Sequence, residues 1–373
     1  MDFDLSEEQT MLRDSAERFV REHYSIEKRR AQASSGVGMD RKIWSRFAEL
    51  GWLALPIAED LGGLGGNDAD ILVLMTALGR GLATEPYVTS AILCGTLIAG
   101  SDWAGRREIL QRMAAGDLQV AFAHLESGER VEQAAERSTI SYFDADRMII
   151  FGKKTMVLDA PSADAFVVTT ALPGRQGLSL VFVERNREGL DLRDYPLIDG
   201  SRAADLRLQD VAVPSSAALA TGAEAERLIE EALARATLGY LAQAVGSMEA
   251  CVELCADYLK KRVQFGQPIA RFQVLQHMLV EMLLAAHQAR SSLYGLLAHI
   301  AADRTARSRA VSSAKVTIGD ACQVVSRMSL QLHGGYGITD EYAVSHHYRR
   351  LMVIEKLFGD TKWHSERLAN LTC

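Results

Sequence analysis

The stretch Arg262–His277, RVQFGQPIARFQVLQH, separates two long helical patterns. Before it, apolar residues recur every three or four positions, which is the period of a buried helix face. They are Leu238, Leu241, Val245, Met248, Val252, Cys255 and Leu259. After it, the same period restarts at Leu275. Because Gly266 and Pro268 interrupt the pattern, we expect the first helix to stop near residues 263–265 and the chain to turn back as a hairpin of two antiparallel helices.

Arg262 falls at the corner of this predicted hairpin, and Gln273 and Gln276 fall at the start of its second helix. A guanidinium beside amide groups suits an anionic ligand that is rich in acceptors, such as a pyrophosphate. An arginine at a helix end also commonly binds the last carbonyl groups of that helix. The residues alone leave both roles open, and the capping role is the commoner one.

Four motifs, in order along the chain, resemble those of the acyl-CoA dehydrogenase family. They are MDFDLSEEQ at residues 1–9, EDLGGLGG at residues 59–66, RxQFGxPIxxFQxxQH at residues 262–277 and QLHGGYG at residues 331–337. The resemblance therefore covers the whole chain. It implies an FAD-dependent oxidoreductase in which a carboxylate removes the α proton of an acyl-CoA thioester while the β hydride goes to the flavin.

Patterning divides the chain into three parts. Residues 1–116 and 217–373 carry helical periods, whereas residues 117–216 carry short β-branched and aromatic runs parted by Asp, Gly and Pro. The expected elements include a helix over residues 68–80 and a strand over residues 147–151. We expect a mainly α fold with an N-terminal helical domain, a small antiparallel middle β barrel or sandwich, and a C-terminal four-helix bundle. The family resemblance implies the same architecture.

Composition excludes several classes of protein. The chain has 373 residues, 48% apolar and 24% charged, with a net charge of −7. This acidic balance argues against nucleic-acid binding and against docking on an anionic membrane. No apolar run is long enough for a membrane span, and the first residues are acidic and amphipathic, so we expect neither a membrane span nor a signal peptide. The five cysteines show no paired spacing and no metal-ligand set stands out, so we expect a cytoplasmic protein without a metal.

The resemblance implies a catalytic carboxylate at one of two positions, and neither position holds one. A gapless alignment from Gly337 puts Phe358 where the family has its glutamate. The alternative position, on the long helix before its break, holds Ala236. Neither side chain accepts a proton. Several other ionisable side chains lie near the family's site segments, and structural roles suit each of them better: Glu126, His124, Asp340, Glu341 and Glu355. Asp360, short and displaced from the expected position, is a further candidate, and the base of this chain stays unknown.

The cofactor contacts implied by the family are retained on one side only. The threonine that would bond the flavin ring is Leu125, and the second flavin strand, usually Trp-Ile-Thr, is Met156–Leu158. By contrast, the residues that would bind the adenosine and pyrophosphate of an FAD seated mainly in a neighbouring subunit all match the family. They are Arg262, Phe265, Gln273, Gln331, Gly334 and Gly335.

This asymmetry resembles the small subunits of heteromeric acyl-CoA dehydrogenases, such as that of pimeloyl-CoA dehydrogenase and the paired bacterial enzymes of steroid degradation. The expected partners are an acyl-CoA substrate, a homologous subunit in a heterotetramer or further copies of this chain, and an electron-transfer acceptor protein. Fatty acid or steroid catabolism is the expected setting. Two alternatives are a homomeric flavoenzyme with a relocated base or different flavin chemistry, such as an oxidase or monooxygenase, and a non-catalytic structural partner.

Overall fold

The fold is mainly helical. The computed structural model describes residues 4–34, 36, 38–128, 138–144, 146–171 and 177–372. Its helices are α1 (Glu7–His23), α2 (Ile26–Ser34), α3 (Arg41–Glu49), α4 (Asp68–Arg80), α5 (Gly95–Ala99), α6 (Arg106–Ala114), α7 (Ala223–Lys261), α8 (Gln273–His299), α9 (Arg304–His333), α10 (Ala343–Lys356) and α11 (Thr361–Thr372). A π-helical segment, Tyr87–Cys94, leads directly into α5.

The strands occupy the middle of the sequence. They are β1 (Val120–Ala123), β2 (Ile140–Asp144), β3 (Arg147–Leu158), β4 (Ala165–Ala171), β5 (Leu178–Glu184), β6 (Leu190–Pro196), β7 (Arg202–Pro214) and β8 (Ala218–Thr221). They form one sheet in the order β6-β7-β3-β2-β4-β5-β8, with β1 beside β4. Most neighbours are antiparallel, but β1 and β2 each pair with β4 in parallel. Two short strands, β9 (Val263–Gln264) and β10 (Gln267–Pro268), make a separate hairpin.

The chain divides into two compact units. The β unit comprises residues 32–67 and 84–236, and the helical unit comprises residues 1–31, 68–83 and 237–373. The three domains expected from the sequence stay a prediction. The mainly α fold with a central β domain is confirmed.

The core of the β unit lies on the sheet. Six of the seven residues of β4, and six of the seven of β5, are buried, as expected for strands covered on both faces. The edge strand β6 instead exposes Asp191, Arg193 and Asp194. Charges on an edge strand oppose pairing with another sheet.

The helical unit depends on a close crossing of α4 and α7. A Cβ added to Gly246 would lie 2.0 Å from the Thr76 carbonyl oxygen, and one added to Gly79 would lie 2.2 Å from the Gln243 carbonyl oxygen. The two backbones therefore touch, which only glycine permits. Residues 71–75 of α4 are all buried, so this helix is enclosed by its neighbours.

The expected helical hairpin is present, with a small correction. The first helix ends at Lys261, before residues 263–265, because Val263 already pairs with Pro268 in the β9–β10 hairpin. α8 then begins at Gln273, and an ion pair between Arg290 and Glu249 joins it to α7. The two helices run back along each other, as the sequence predicts.

No helix among the described residues is both long enough and apolar enough to cross a membrane. No three His, Cys, Asp or Glu side chains in the same ranges are grouped so that they could hold a metal ion.

We predict that Gly246→Ala destabilises the helical unit by about 1–3 kcal/mol, because its methyl group would force α4 and α7 apart. Gly295→Ala on α8 is the matched control, since its added Cβ would meet nothing within 4 Å. The control is expected to stabilise by about 0.5–1 kcal/mol through its better helix propensity. Denaturant unfolding of both variants measures the difference, and equal midpoints would contradict the close crossing.

Candidate functional site

Arg262 lies at the corner between α7 and α8 with an exposed side chain. Its N–H donates to the Tyr258 carbonyl at 2.8 Å, and its carbonyl accepts from the Ile269 N–H at 2.8 Å. Within the described ranges its guanidinium has no hydrogen-bond or ion-pair partner. It therefore does not cap the carbonyl groups that end α7, and the cation is available to an anionic ligand.

Phe265 and Gly266 form the turn between β9 and β10. Phe265 has a φ of +54° and is 90% exposed, and its ring meets Phe272 edge-on at 5.9 Å. A bulky residue in the left-handed region is strained, and an exposed phenyl ring forgoes the gain of burial. Both costs indicate a side chain that is kept for contact with another molecule.

The start of α8 is open to a ligand. Its first residue, Gln273, is exposed, and the preceding Phe272 gives no side-chain cap to the free N–H groups. The first N–H groups of a helix carry a partial positive charge and bind anions. The helix start and the Arg262 cation are close in sequence and share the preference for a negative group.

The end of α9 presents bare backbone. Gln331 is exposed, and α9 ends at Gly334, which has φ +58° and ψ −143°, a conformation open only to glycine. A Cβ added to Gly334 or to Gly335 would meet nothing within 4 Å. These glycines therefore differ from Gly79 and Gly246: they do not serve internal packing, and they leave room for a ligand to approach the main chain.

The six residues implied by the resemblance fall at one end of the helical unit. α8 and α9 follow each other through the short connection 300–303, have 27 and 30 residues, and pack together. As antiparallel neighbours of similar length, they bring the start of α8 and the end of α9 to the same end. The hairpin that carries Arg262 and Phe265 leads into that start of α8. The cofactor roles of these residues stay a prediction.

A cluster of four aromatic rings beside the α9 end was not found from the sequence. His333 lies 4.4 Å from Tyr258, Tyr258 lies 6.2 Å from Tyr336, and Tyr336 lies 4.5 Å from Tyr342. The Tyr342 and His333 rings close the cluster at 5.0 Å. His333 is buried, which lowers its pKa, and its ring hydrogen-bonds the Ser329 carbonyl at 2.8 Å. His333, Tyr336 and Tyr342 lie within ten residues of one another, but Tyr258 comes from α7, so no local sequence pattern shows that the four rings meet.

Phe358 occupies the loop between α10 and α11. It has a φ of +57°, and its ring packs 5.6 Å from that of Tyr240. The Phe358 carbonyl is bound by the His364 ring at 3.0 Å. The guanidinium of Arg350 lies 5.5 Å from the centre of the same Tyr240 ring and donates a hydrogen bond to the Gln243 side chain at 2.6 Å. The position holds an aromatic contact and no proton acceptor.

A buried lysine holds the same loop. Lys315 is 2% exposed, and its ammonium donates to the carbonyl groups of Ile354, Glu355 and Leu357 at 2.7–3.2 Å. Burial lowers the pKa of Lys315 to about 8. The Glu355 carboxylate accepts from the Thr361 N–H at 3.1 Å and from its hydroxyl at 3.0 Å. The loop thus keeps a rigid support although Phe358 carries no base.

The other base positions have structural roles. Asp360 accepts from the Trp363 N–H at 2.9 Å, which caps α11, and lies 3.4 Å from the Lys356 ammonium. Ala236 is fully buried on α7 and has no ionisable group. Neither residue is placed as a free general base, so we assign no base to this chain.

Comparison with known proteins decides the family. Residues 6–117 match the family described as acyl-CoA dehydrogenase, N-terminal domain, and residues 226–370 match acyl-CoA dehydrogenase, C-terminal domain. The chain belongs to the acyl-CoA dehydrogenase family. The prediction of an oxidoreductase of this class is thereby confirmed, and the family generally binds FAD.

Three similar proteins span nearly the whole chain. A caffeyl-CoA reductase-Etf complex subunit from Acetobacterium woodii is 26% identical over 92% of each chain. An acyl-CoA dehydrogenase, IpdE2, from Mycolicibacterium smegmatis is 27% identical over 98% of each. A solved structure of the Tcur3481-Tcur3483 steroid acyl-CoA dehydrogenase is 25% identical over 98% of each chain, with a TM-score of 0.88.

The β unit of this family member contains a buried ion pair that sequence reasoning missed. The fully buried Lys154 ammonium donates to Glu126 at 2.7 Å and to the Thr169 hydroxyl at 3.1 Å. Glu126 also accepts from the Ser138 N–H at 2.7 Å and the Thr139 N–H at 3.1 Å. Burial opposes ionisation of Glu126, but the bonds from Lys154 and Ser138 outweigh it and lower its pKa to about 2. Glu126 is therefore a structural carboxylate rather than a base.

The predicted flavin-ring positions lie next to this pair. Leu125 and Leu158 carry no hydroxyl group, and Met156 has a φ of +51°. Lys154 precedes Met156 by two residues on β3, so the ion pair keeps the strand in place where the hydroxyl donors are gone.

We predict that Glu126→Gln and Lys154→Met each destabilise the β unit by about 3–5 kcal/mol, because each leaves the other charge buried and unpaired. The double variant should lose less unfolding free energy than the sum of the losses in the two single variants. Glu184→Gln, which removes the exposed pair between Glu184 and Arg187, is the control and should cost about 0–1 kcal/mol. Denaturant unfolding measures all four proteins, and additive losses would contradict the pair.

The same ion pair gives a pH signature. The folded pKa of Glu126, about 2, lies below its ordinary value of 4.5. The stabilisation is therefore present above pH 4.5 and is lost as the pH falls towards 2. The unfolding free energy of the wild type should fall more steeply over this window than that of Glu126→Gln.

Proposed function

We propose that this chain is the subunit without a base in a heteromeric acyl-CoA dehydrogenase, and that it binds the adenosine and pyrophosphate of an FAD shared with a homologous subunit. The observation that carries the proposal is a contrast inside the helical unit. The expected base position is filled by Phe358, while Arg262 and the glycines at the end of α9 remain exposed.

The exposed end of the helical unit fits the chemistry of a dinucleotide. Arg262 offers a guanidinium without a partner in the described part of the chain, and the α8 start offers free N–H groups. Both favour the two negative charges of a pyrophosphate. Gly334 and Gly335 leave open backbone, and Gln273 and Gln331 offer amide groups for ribose or base.

An apolar stripe on α8 supports a protein partner. Val280, Leu283 and Leu284 are spaced by three and four residues and are exposed, Leu284 by 63%. Phe265, near the start of the same helix, is also exposed. Contiguous exposed apolar side chains are typical of protein interfaces. A homologous subunit is the partner we propose, because the similar steroid enzyme is named by two components and no base is assigned among the described residues of this chain.

In the proposed complex the homologous subunit supplies the carboxylate that removes the α proton of the acyl-CoA. A bound FAD would supply the hydride acceptor for the β carbon. This chain binds and orients the adenosine end, and so fixes the cofactor against the partner's site. We propose that an electron-transfer protein reoxidises the cofactor, since one similar protein is named as part of an Etf complex. The cytoplasmic location stays a prediction.

The first test compares this chain purified alone with the chain coexpressed with a homologous subunit encoded beside it. We predict that the lone chain is colourless or holds much less than one FAD, and that the complex holds one FAD for each pair of chains. Visible spectra and FAD-to-chain ratios measure this. A lone chain that is saturated with FAD and bleaches on addition of acyl-CoA would overturn the proposal.

The second test targets the adenosine side of the complex. We predict that Arg262→Ala weakens FAD binding by about ten- to a hundredfold, the loss expected for charge-assisted hydrogen bonds. Gly335→Ala should also weaken it, because the methyl group enters space that the ligand needs, while the fold is unchanged. Arg304→Ala is the control, since it lies about 40 Å from Gln331 along α9. Fluorescence titration with FAD measures the three variants, and equal affinities would exclude this surface.

A further inference from the structure

Tyr336 is the exposed member of the aromatic cluster at the end of α9. Its ring is half exposed, whereas His333, at the other side of the cluster, is 3% exposed. Tyr258 lies nearly parallel to Tyr336, at an angle of 19°, and Tyr342 contacts it from a second side. A ring that is already fixed by two neighbours loses little conformational freedom when a ligand stacks on it.

The position of Tyr336 relates it to the other candidate ligand groups. It directly follows Gly334 and Gly335, whose outer surfaces are open. Its neighbour Tyr258 lies one helical turn before Arg262, and the backbone of Arg262 bonds to the Tyr258 carbonyl at 2.8 Å. Tyr258 therefore links the two groups: its ring faces that of Tyr336, and its carbonyl accepts from the N–H of Arg262.

We propose that Tyr336 is the stacking platform for the adenine of the shared FAD, which makes the helical unit a binding surface for ADP. This inference rests on the proposed function. Aromatic side chains bind bases through their flat faces, and the contact needs no particular hydrogen-bond pattern. Stacking on Tyr336 would use the face of its ring and would not need its hydroxyl group.

The test uses the full chain with ADP and with inorganic pyrophosphate as separate probes in calorimetric titrations. We expect the wild type to bind ADP more tightly than pyrophosphate. Tyr336→Ala should weaken ADP binding by about tenfold, the size of one base–aromatic stack, and leave pyrophosphate binding unchanged. Tyr336→Phe should bind ADP as the wild type does. Tyr142→Ala, which removes a similarly exposed tyrosine from the β unit, is the control and should have no effect.

The outcomes separate a stacking role from a structural one. One contrary result is that Tyr336→Ala weakens the affinity for ADP and for pyrophosphate equally. Another is that it lowers a thermal midpoint that Tyr336→Phe restores without restoring ADP affinity. Either result would mean that Tyr336 only supports the fold. A wild type that shows no preference for ADP would also overturn the inference.

The test also stands apart from that of the proposed function. Selective ADP binding through Tyr336, without any FAD-containing complex, would uphold the stack and reject the shared cofactor. A complex that holds one FAD per pair of chains, but binds it equally well with Tyr336→Ala, would do the reverse.

Discussion

The chain reversal between Lys261 and Gln273 is the constraint on which the candidate site depends. It is closed by the bond from the Ile269 N–H to the Arg262 carbonyl and by the positive φ of Phe265 and Gly266. These contacts fix how far the chain travels between α7 and α8. For this reason Arg262 lies at the same end of the helical unit as the open start of α8. The antiparallel packing of α8 on α9 brings the glycines after His333 to that end as well. A longer or shorter turn would separate the cation from the free N–H groups.

Buried charges hold both regions where the resemblance places the base and the flavin ring. Lys315 supports the loop of Phe358, and Lys154 with Glu126 supports the strand that precedes Met156. A buried ammonium is tolerated only when carbonyl groups or a carboxylate replace its hydration. These supports are independent of the side chains that would react. They hold the surrounding backbone in place whichever side chains stand at the expected base and hydroxyl positions.

The sequence predicts elements better than it predicts contacts. The helix over residues 68–80 was predicted with its observed bounds, because period and composition agree there. The strand was predicted over residues 147–151, because Gly152 and the two lysines after it are typical of a strand end. In the structure it continues to Leu158, and Lys154 is buried against Glu126. The residues that Lys315 binds are about forty positions away from it in the sequence. Tyr258 and Tyr336, whose rings face each other, are about eighty positions apart. Such partners follow from tertiary packing, which neither period nor motif contains.

The exposed Phe265 supports the proposed role in another subunit's cofactor site. Its φ is positive and its ring is 90% exposed, so apart from the contact with Phe272 its apolar surface stays in water until another molecule covers it. Phe358 is half-buried and packs on Tyr240, so the position where the resemblance implies a carboxylate holds an aromatic contact instead. An enzyme that works alone needs a base for its own activity. A chain that completes a neighbour's cofactor site needs only the groups that contact the cofactor, which here would be Phe265, Arg262 and the open glycines.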